Sequence, residues 1–526
     1  MSRHRDIERN RVGRRFGRNC LWILAVAAAT TATAIGAGRQ APVAEPAVST
    51  HGIPHPLLWP TAPPAPRISR ADEALVGDLL AHMTLEEKVA QMIQADISDV
   101  TPEDLRRYRL GAVLAGGGSA PQGNVRAAPR AWLDLADSLY RASIADPSPG
   151  HRPIPILFGI DAVHGDAKIR GATIYPHNIA LGAAHDPQLI ERIGRATAEE
   201  VATTGLDWTF APTVAVARDV RWGRTYESYS ENPALVATYA ARMVEGLQGM
   251  AGTRSFFGTG HTLATAKHFL GDGGTVDGRD QGNNVAPEDV LIRVHDAGYP
   301  AALGAGALVV MASYNSWQGV KMHANRGLLT DVLKGRMGFE GFVIGDWNAQ
   351  EEVPGCTKYD CPAVINAGID MVMAPDSWKR FYRNTLREVQ AGAIPMTRID
   401  DAVRRILRVK ALAGLFTEPP PVRRPDAGRF DLLGSPAHRA LARQAVRESL
   451  VLLKNDHGLL PLSPHAHVLV MGAAADSIGD QSGGWTVDWQ GDHNTNADFP
   501  GGTSIFAGIA AAVTAAGGTA ALSPDG

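Results

Sequence analysis

A chain of 526 residues has room for about three ordinary domains, or for one large barrel with a smaller companion, so a substantial core is available. Its 51 basic and 54 acidic side chains leave a formal net charge of −3, which excludes the strong one-signed field of a nucleic-acid or anionic-lipid binder. The 45% apolar and 20% charged shares exclude a mostly disordered chain, and three cysteines exclude both a disulfide framework and an all-cysteine zinc site.

The first element is an address. Arg3, Arg5, Arg9, Arg11, Arg14, Arg15 and Arg18 precede an uncharged run from Leu21 to about Ala37, the pattern of a secretory signal peptide over residues 1–40, with Ala32-Thr33-Ala34 as a small-residue cleavage site. Arg14-Arg15-Phe16 leaves twin-arginine export open, and an uncleaved anchor helix is the alternative. No later stretch has the length and apolarity of a membrane span, so the expected product is periplasmic or extracellular. Residues 41–67 are rich in Pro and Ala without apolar periodicity, which predicts an extended linker or wrapping segment. Cys20 would leave with the signal. Cys356 and Cys361, in a short polar loop, are then expected to pair in an oxidising compartment, with two unpaired thiols as the alternative.

Thr84 followed by Glu87 predicts a capping box and a helix start. Eight short apolar runs then alternate with amphipathic stretches, at 92–95, 112–115, 156–160, 208–211, 264–267, 308–311, 341–345 and 371–373. Continuous apolar runs, rather than alternation, are what a parallel sheet covered on both faces requires. Helices are predicted between them, for example over 187–204 and 232–247, and a closing helix over 400–415. Eight such units over about 340 residues predict an α/β fold, a TIM-type (β/α)8 barrel over 68–416, with an open doubly wound sheet as the alternative. The Pro-rich run from Glu418 to Pro425 marks a linker at 417–437. Residues 438–526 hold a helix at 438–451, a strand at 468–472, a Gly/Trp-rich loop, an Ala-rich helix at 504–516 and at most one more strand. That cannot cover both faces of a parallel sheet, so the segment reads as the start of an α/β sandwich domain, incomplete, in a fragment of a longer protein.

Polar residues fall where the predicted strands end, the face at which such barrels carry their chemistry. Asp161 follows the third run, Lys267 and His268 close the fifth, Tyr314 follows the sixth and Asp346 the seventh, while Arg224 lies in the loop after the fourth. Singly, Asp161 and Asp346 could be structural or capping carboxylates, Lys267-His268 a filled strand end and Trp347 a core residue. Together they suit a polyhydroxylated ligand, because carboxylates and cations bond hydroxyls and aromatic faces stack on sugar C–H groups. There is no His-Glu-x-x-His and no Cys/His cluster for a metal, Gly271-Asp272-Gly273-Gly274 lacks the Gly-Lys-Ser/Thr of a phosphate loop, and no Gly-x-Ser-x-Gly elbow ends a strand. Carboxylate chemistry without a cofactor is what remains.

These residues also carry a family likeness. Gly159-Ile160-Asp161-Ala162-Val163-His164-Gly165, Arg221-Trp222-Gly223-Arg224 through Tyr226-Glu227-Ser228, Lys267-His268-Phe269, Gly345-Asp346-Trp347 and Lys454-Asn455 with Leu459-Leu460-Pro461-Leu462 resemble, in order, the blocks of glycoside hydrolase family 3, in its β-glucosidase and exo-β-glucan glucohydrolase branch. The resemblance implies a retaining enzyme that releases glucose from non-reducing ends of a β-glucoside or β-glucan, with Asp346 as nucleophile. It implies that Asp161, Arg224, Lys267 and His268 hold the terminal sugar. Trp347 then forms one wall of the next subsite, and Trp489, in the Gly483-Gly484-Trp485-Thr486-Val487-Asp488-Trp489 loop together with Trp485, forms the other. Arg224, Lys267 or His268 would lower the Asp346 pKa and keep it ionised. Gln281 stands where relatives often place Glu. The family's acid/base Glu lies beyond the Gly-Gly-Trp loop, past the last residue of this chain, so no acid/base residue is assigned. The N-acetylglucosaminidase branch is disfavoured because residues 273–279 hold no Asp-Ser-His triplet. A β-xylosidase of the same family and a non-catalytic sugar-binding protein are the alternatives.

Overall fold

The computed structural model of the chain describes residues 52–526 apart from 65, 67 and 146–151. The expected signal peptide at 1–40, Cys20 and the start of the 41–67 linker lie outside the described residues. Eight parallel strands form the body: β1 (Ile93–Asp96), β2 (Ala112–Ala115), β3 (Leu157–Ile160), β4 (Trp208–Thr209), β5 (Thr265–Phe269), β6 (Val309–Ala312), β7 (Phe342–Ile344) and β8 (Val372–Met373). Five pair in the order β8-β1-β2-β3-β4 and three in the order β7-β6-β5. Parallel bridges Trp208↔Leu263 and Ile344↔Met371 join the two sheets into a closed TIM-type barrel whose circular order is the chain order. The registers are regular, for instance Ala112↔Leu157 through Ala115↔Ile160. Each strand falls on one of the eight apolar runs, and its residues are buried, as a sheet covered by helices outside and side chains inside demands.

Local signals set the helix starts. Thr84 Oγ1 accepts from Glu87 N at 3.2 Å while the Glu87 carboxylate accepts from Thr84 N at 3.0 Å, the reciprocal cap of helix Leu85–Gln91. Asp186 and Asn232 cap helices Pro187–Thr203 and Pro233–Gln248, each with proline in the first turn. The closing helix is Met396–Leu412, beginning directly after Pro395 and so one turn earlier than the 400–415 expected. No helix among the described residues is long and apolar enough to cross a membrane.

Residues 52–64 wrap the barrel. Trp59 is buried, its Nε1 donates to Glu288 Oε1 at 2.8 Å, and its carbonyl accepts from Arg336 Nε at 2.8 Å. A buried ion cluster ties β7 and β8 to the closing helix: Asp370 accepts from Lys334 Nζ at 2.7 Å, from Arg398 and from Val343 N at 2.8 Å. These two cations hold its pKa below the usual carboxylate value against the opposing effect of burial. Cys356 and Cys361 are bonded to each other in the loop that follows β7.

After the closing helix the chain stays on the barrel surface. Arg424 Nη1 lies 2.5 Å from Asp207 Oδ1, and Gly428 N donates to Thr203 O at 2.9 Å. Helix Pro436–Ser449 follows, with His438 bonded to Glu200 at 2.8 Å and Glu199 at 3.2 Å. Burial opposes a charge on His438, but these two carboxylates raise it to about 9. Beyond lie the parallel pair β9 (His467–Met471) and β10 (Thr519–Ser523), in register His467↔Thr519, and helix Ile505–Ala515. Leu450 to Leu453, Leu469 and Met471 remain exposed there.

The ion cluster makes a prediction about stability. Asp370→Ala removes the fully buried carboxylate shared by Lys334 and Arg398, leaving them only the part-exposed Asp401, and should cost roughly 3–5 kcal/mol in denaturant unfolding. A loss below about 1 kcal/mol would contradict this reading of the junction.

Candidate active site

The C-terminal ends of the strands meet at a cavity of about 1160 Å³, and all nine residues singled out from the sequence line it: Asp161, Arg224, Lys267, His268, Tyr314, Asp346, Trp347, Trp485 and Trp489. Each is placed by a strand end or its loop. Asp161 directly follows β3, Lys267 and His268 sit within β5, Tyr314 lies two residues past β6 and Asp346 two past β7. Arg224 precedes the short turn Thr225–Glu227 in the loop after β4. Trp485 and Trp489 come from the Gly-rich loop of the C-terminal segment, with ring centroids 6.4 Å apart.

The polar groups form a paired network. Lys267 Nζ lies 3.1 Å from Asp161 Oδ1, both side chains being under one-tenth exposed. Arg224 forks onto Glu227, with Nε at 2.7 Å from Oε1 and Nη2 at 2.9 Å from Oε2. Its Nη2 also lies 3.2 Å from His268 Nε2. Because a guanidinium only donates, Nε2 is the acceptor, and the proton on Nδ1 is donated to Asp272 Oδ2 at 3.0 Å. Burial, then Arg224 and Lys267, hold His268 well below its ordinary pKa and keep the ring neutral. Burial pushes the Asp272 carboxyl up to about 7.

Asp346 sits at the centre. Its backbone N–H donates to His323 Nε2 at 3.0 Å, its Oδ1 accepts from Trp347 N at 2.7 Å, and its Oδ2 lies 3.8 Å from His268 Nε2. About 15% of the side chain remains open to the cavity. Burial lowers His323 to about 3, in keeping with its accepting role. The expectation that neighbouring cations lower the Asp346 pKa needs correction. Arg224 and Lys267 do pull it down, but burial outweighs them and the net direction is up. His268, being neutral, contributes no cationic pull.

At the mouth, Trp347 is 38% exposed and Trp489 51% exposed. The Tyr314 hydroxyl donates to the Trp347 carbonyl, and burial and Asp346 raise its pKa far above the phenolic norm. A Cβ on Gly116 would sit 2.3 Å from Trp347 Cζ3, so the ring lies against a position that only glycine leaves open. The sequence assigns no role to Glu227, Asp272, His323 or Gly116. The spacings Arg224 to Glu227 and His268 to Asp272 are visible there, but no spacing reveals which carboxylate turns inward. Among the described residues no group of three or more His, Cys, Asp and Glu side chains is arranged to hold a metal ion.

If Arg224 restrains the Asp346 pKa, Arg224→Met should shift the Asp346 titration to higher pH in carboxyl NMR, and an unchanged midpoint would contradict the assigned cause.

Comparison with known proteins bears on this geometry. The Glycosyl hydrolase family 3 N terminal domain matches residues 84–409, and the Glycosyl hydrolase family 3 C-terminal domain matches residues 450–523. The chain is 32% identical over 467 residues to the lysosomal beta glucosidase of Dictyostelium discoideum, covering 84% of this chain and 56% of that protein. It is 30% identical over 431 residues to the periplasmic beta-glucosidase of Salmonella typhimurium, covering 80% and 53%. The crystal structure of the exo-1,3/1,4-beta-glucanase from a Pseudoalteromonas species is 51% identical, with a TM-score of 0.86 over 89% of this chain and 58% of that one. The chain thus spans little more than half the length of these relatives.

Proposed function

The chain belongs to glycoside hydrolase family 3, and from that premise we propose that it is a retaining, exo-acting β-glucosidase or β-glucan glucohydrolase that releases glucose through a covalent glycosyl-enzyme on Asp346. The observation that carries the reading is Asp346 itself: a carboxylate open to a cavity, oriented by its own loop amide, and facing a guanidinium and a neutral imidazole. In the first step Asp346 attacks the anomeric carbon and the glycosidic bond breaks. In the second, water releases the sugar and frees the carboxylate. Asp161, Arg224, Lys267 and His268 bind the terminal glucosyl hydroxyls, and their mutual pairing fixes which lone pairs and protons remain for the sugar. Tyr314 braces the Trp347 backbone, while Trp347, Trp485 and Trp489 offer aromatic faces to the terminal and following sugars.

We assign no acid/base residue. The other buried carboxylates at the cavity are engaged: Asp161 with Lys267, and Glu227 with Arg224. Asp272, behind His268, is held by that ring.

We also propose that the protein is exported and that the chain divides into a barrel at 68–416, a connector at 417–437 and a sandwich-type segment at 438–526. The arginine-rich, then apolar, opening sequence and the bonded Cys356–Cys361 pair support export, since such bonds persist in oxidising compartments.

Aryl β-glucosides with good leaving groups need little proton assistance and therefore isolate the nucleophile. The parent chain should turn them over, with an acidic limb above the ordinary carboxylate pKa because burial raises Asp346 and its protonation removes the attacking charge. Asp346→Asn should lose roughly 10³-fold or more, the scale on which removal of a covalent nucleophile acts. Glucose binding without any turnover by the parent would overturn the reading in favour of a sugar-binding protein.

A further inference from the structure

We infer that His164 and His177, neither of which lines the sugar cavity, are positioning residues that latch the 483–489 loop onto the barrel and so hold Trp485 in the site. The consequence for sugar binding rests on the hydrolase reading above. The latch itself rests on geometry alone.

The loop does not hold its shape by local preference. Trp485 and Val487 have φ of 57° and 63°, and a β-branched residue in the left-handed region is a strained outlier that persists only when its surroundings impose it. The surroundings here are the loop after β3. Val487 is buried, and its N–H donates to Ala167 O at 2.9 Å. The fully buried Thr486 places its hydroxyl 3.1 Å from His164 Nε2, and His177 Nε2 donates to Ser482 O at 3.0 Å.

The two imidazoles brace one another. Their rings stack at 3.9 Å with planes 21° apart, and Tyr226 meets His177 edge-on at 4.7 Å. His164 Nδ1 lies 3.0 Å from Tyr175 O, and its Nε2 lies 3.1 Å from both the Thr486 hydroxyl and the Trp485 carbonyl, so the ring bridges its own loop and the 483–489 loop. Burial lowers both histidines, His164 to about 3, so each ring keeps one donor and one acceptor.

What the latch secures is a contact at the site. The Trp485 ring lines the cavity together with Glu227, the partner of Arg224, and its centroid lies 5.4 Å from Lys267 Nζ. Releasing the loop would withdraw a wall of the cavity and the aromatic face beside Lys267 together.

Hydrogen exchange on the full chain tests this directly. His164→Ala and Thr486→Val should each speed exchange across 483–491 by about tenfold or more while barrel-strand peptides stay protected. Both should weaken glucose binding in titration calorimetry by about fivefold or more, the low end of coupling between linked sites. His164→Gln, whose amide can still hydrogen-bond the Thr486 hydroxyl or the Trp485 carbonyl, should restore most of both effects. If His164→Ala fails to fold, Thr486→Val decides, since it removes a single hydroxyl from the loop side. Unchanged loop exchange in Thr486→Val overturns the latch. Faster exchange with unchanged glucose affinity overturns its positioning role. A parent that binds no glucose counts against the hydrolase reading, and the exchange result then judges the latch alone.

Discussion

A carboxylate at the rim of an apolar barrel can stay charged only if a cation shares its desolvated space, and Arg224 is the residue on which that condition turns. Its guanidinium is forked onto Glu227, touches His268 and faces Asp346. Burial pushes Asp346 toward the neutral acid and Arg224 pulls it back. The same contact sets His268: a donor at Nε2 forces its proton to Nδ1 and toward Asp272, so the ring beside Asp346 is neutral and of one tautomer. A lysine could not replace this arginine, because a point charge cannot bind a carboxylate through two parallel donors and a ring nitrogen as well.

The scaffold explains why these groups converge. Eight strands buried on both faces leave no place for charge along their length, so polar side chains collect where strands end. A deeper charge, Asp370, is held in a closed cluster with Lys334 and Arg398. The wall formed by Trp485 and Trp489 comes from outside the barrel, held by hydrogen bonds to the loops that carry His164 and His177.

Much of this is legible in the sequence because its physical signals are local. Parallel strands read as unbroken apolar runs, Thr84 and Glu87 specify their cap three residues apart, and Asp161, Lys267, His268, Tyr314 and Asp346 each adjoin a run. What is not legible depends on direction and depth. Nothing around Glu227 says that it turns inward to Arg224, and nothing around Trp59 says that a Pro-rich stretch docks on Glu288. The direction of the Asp346 pKa is misjudged from sequence for the same reason: the cations can be counted along the chain, whereas the burial that outweighs them is a property of the folded cavity. The left-handed Val487 has no sequence signal at all, since a β-branched residue is the least expected occupant of that conformation.

The proposed catalysis comes down to one atom pair, a carboxylate oxygen of Asp346 and the anomeric carbon of a glucoside. An activated 2-deoxy-2-fluoro glucoside slows release of the covalent intermediate more than its formation, and peptide mapping by mass spectrometry then locates the bond. The predicted result is one fluoroglucosyl group per chain, on Asp346. A label on another residue, or none on a chain that turns over aryl glucosides, would contradict it.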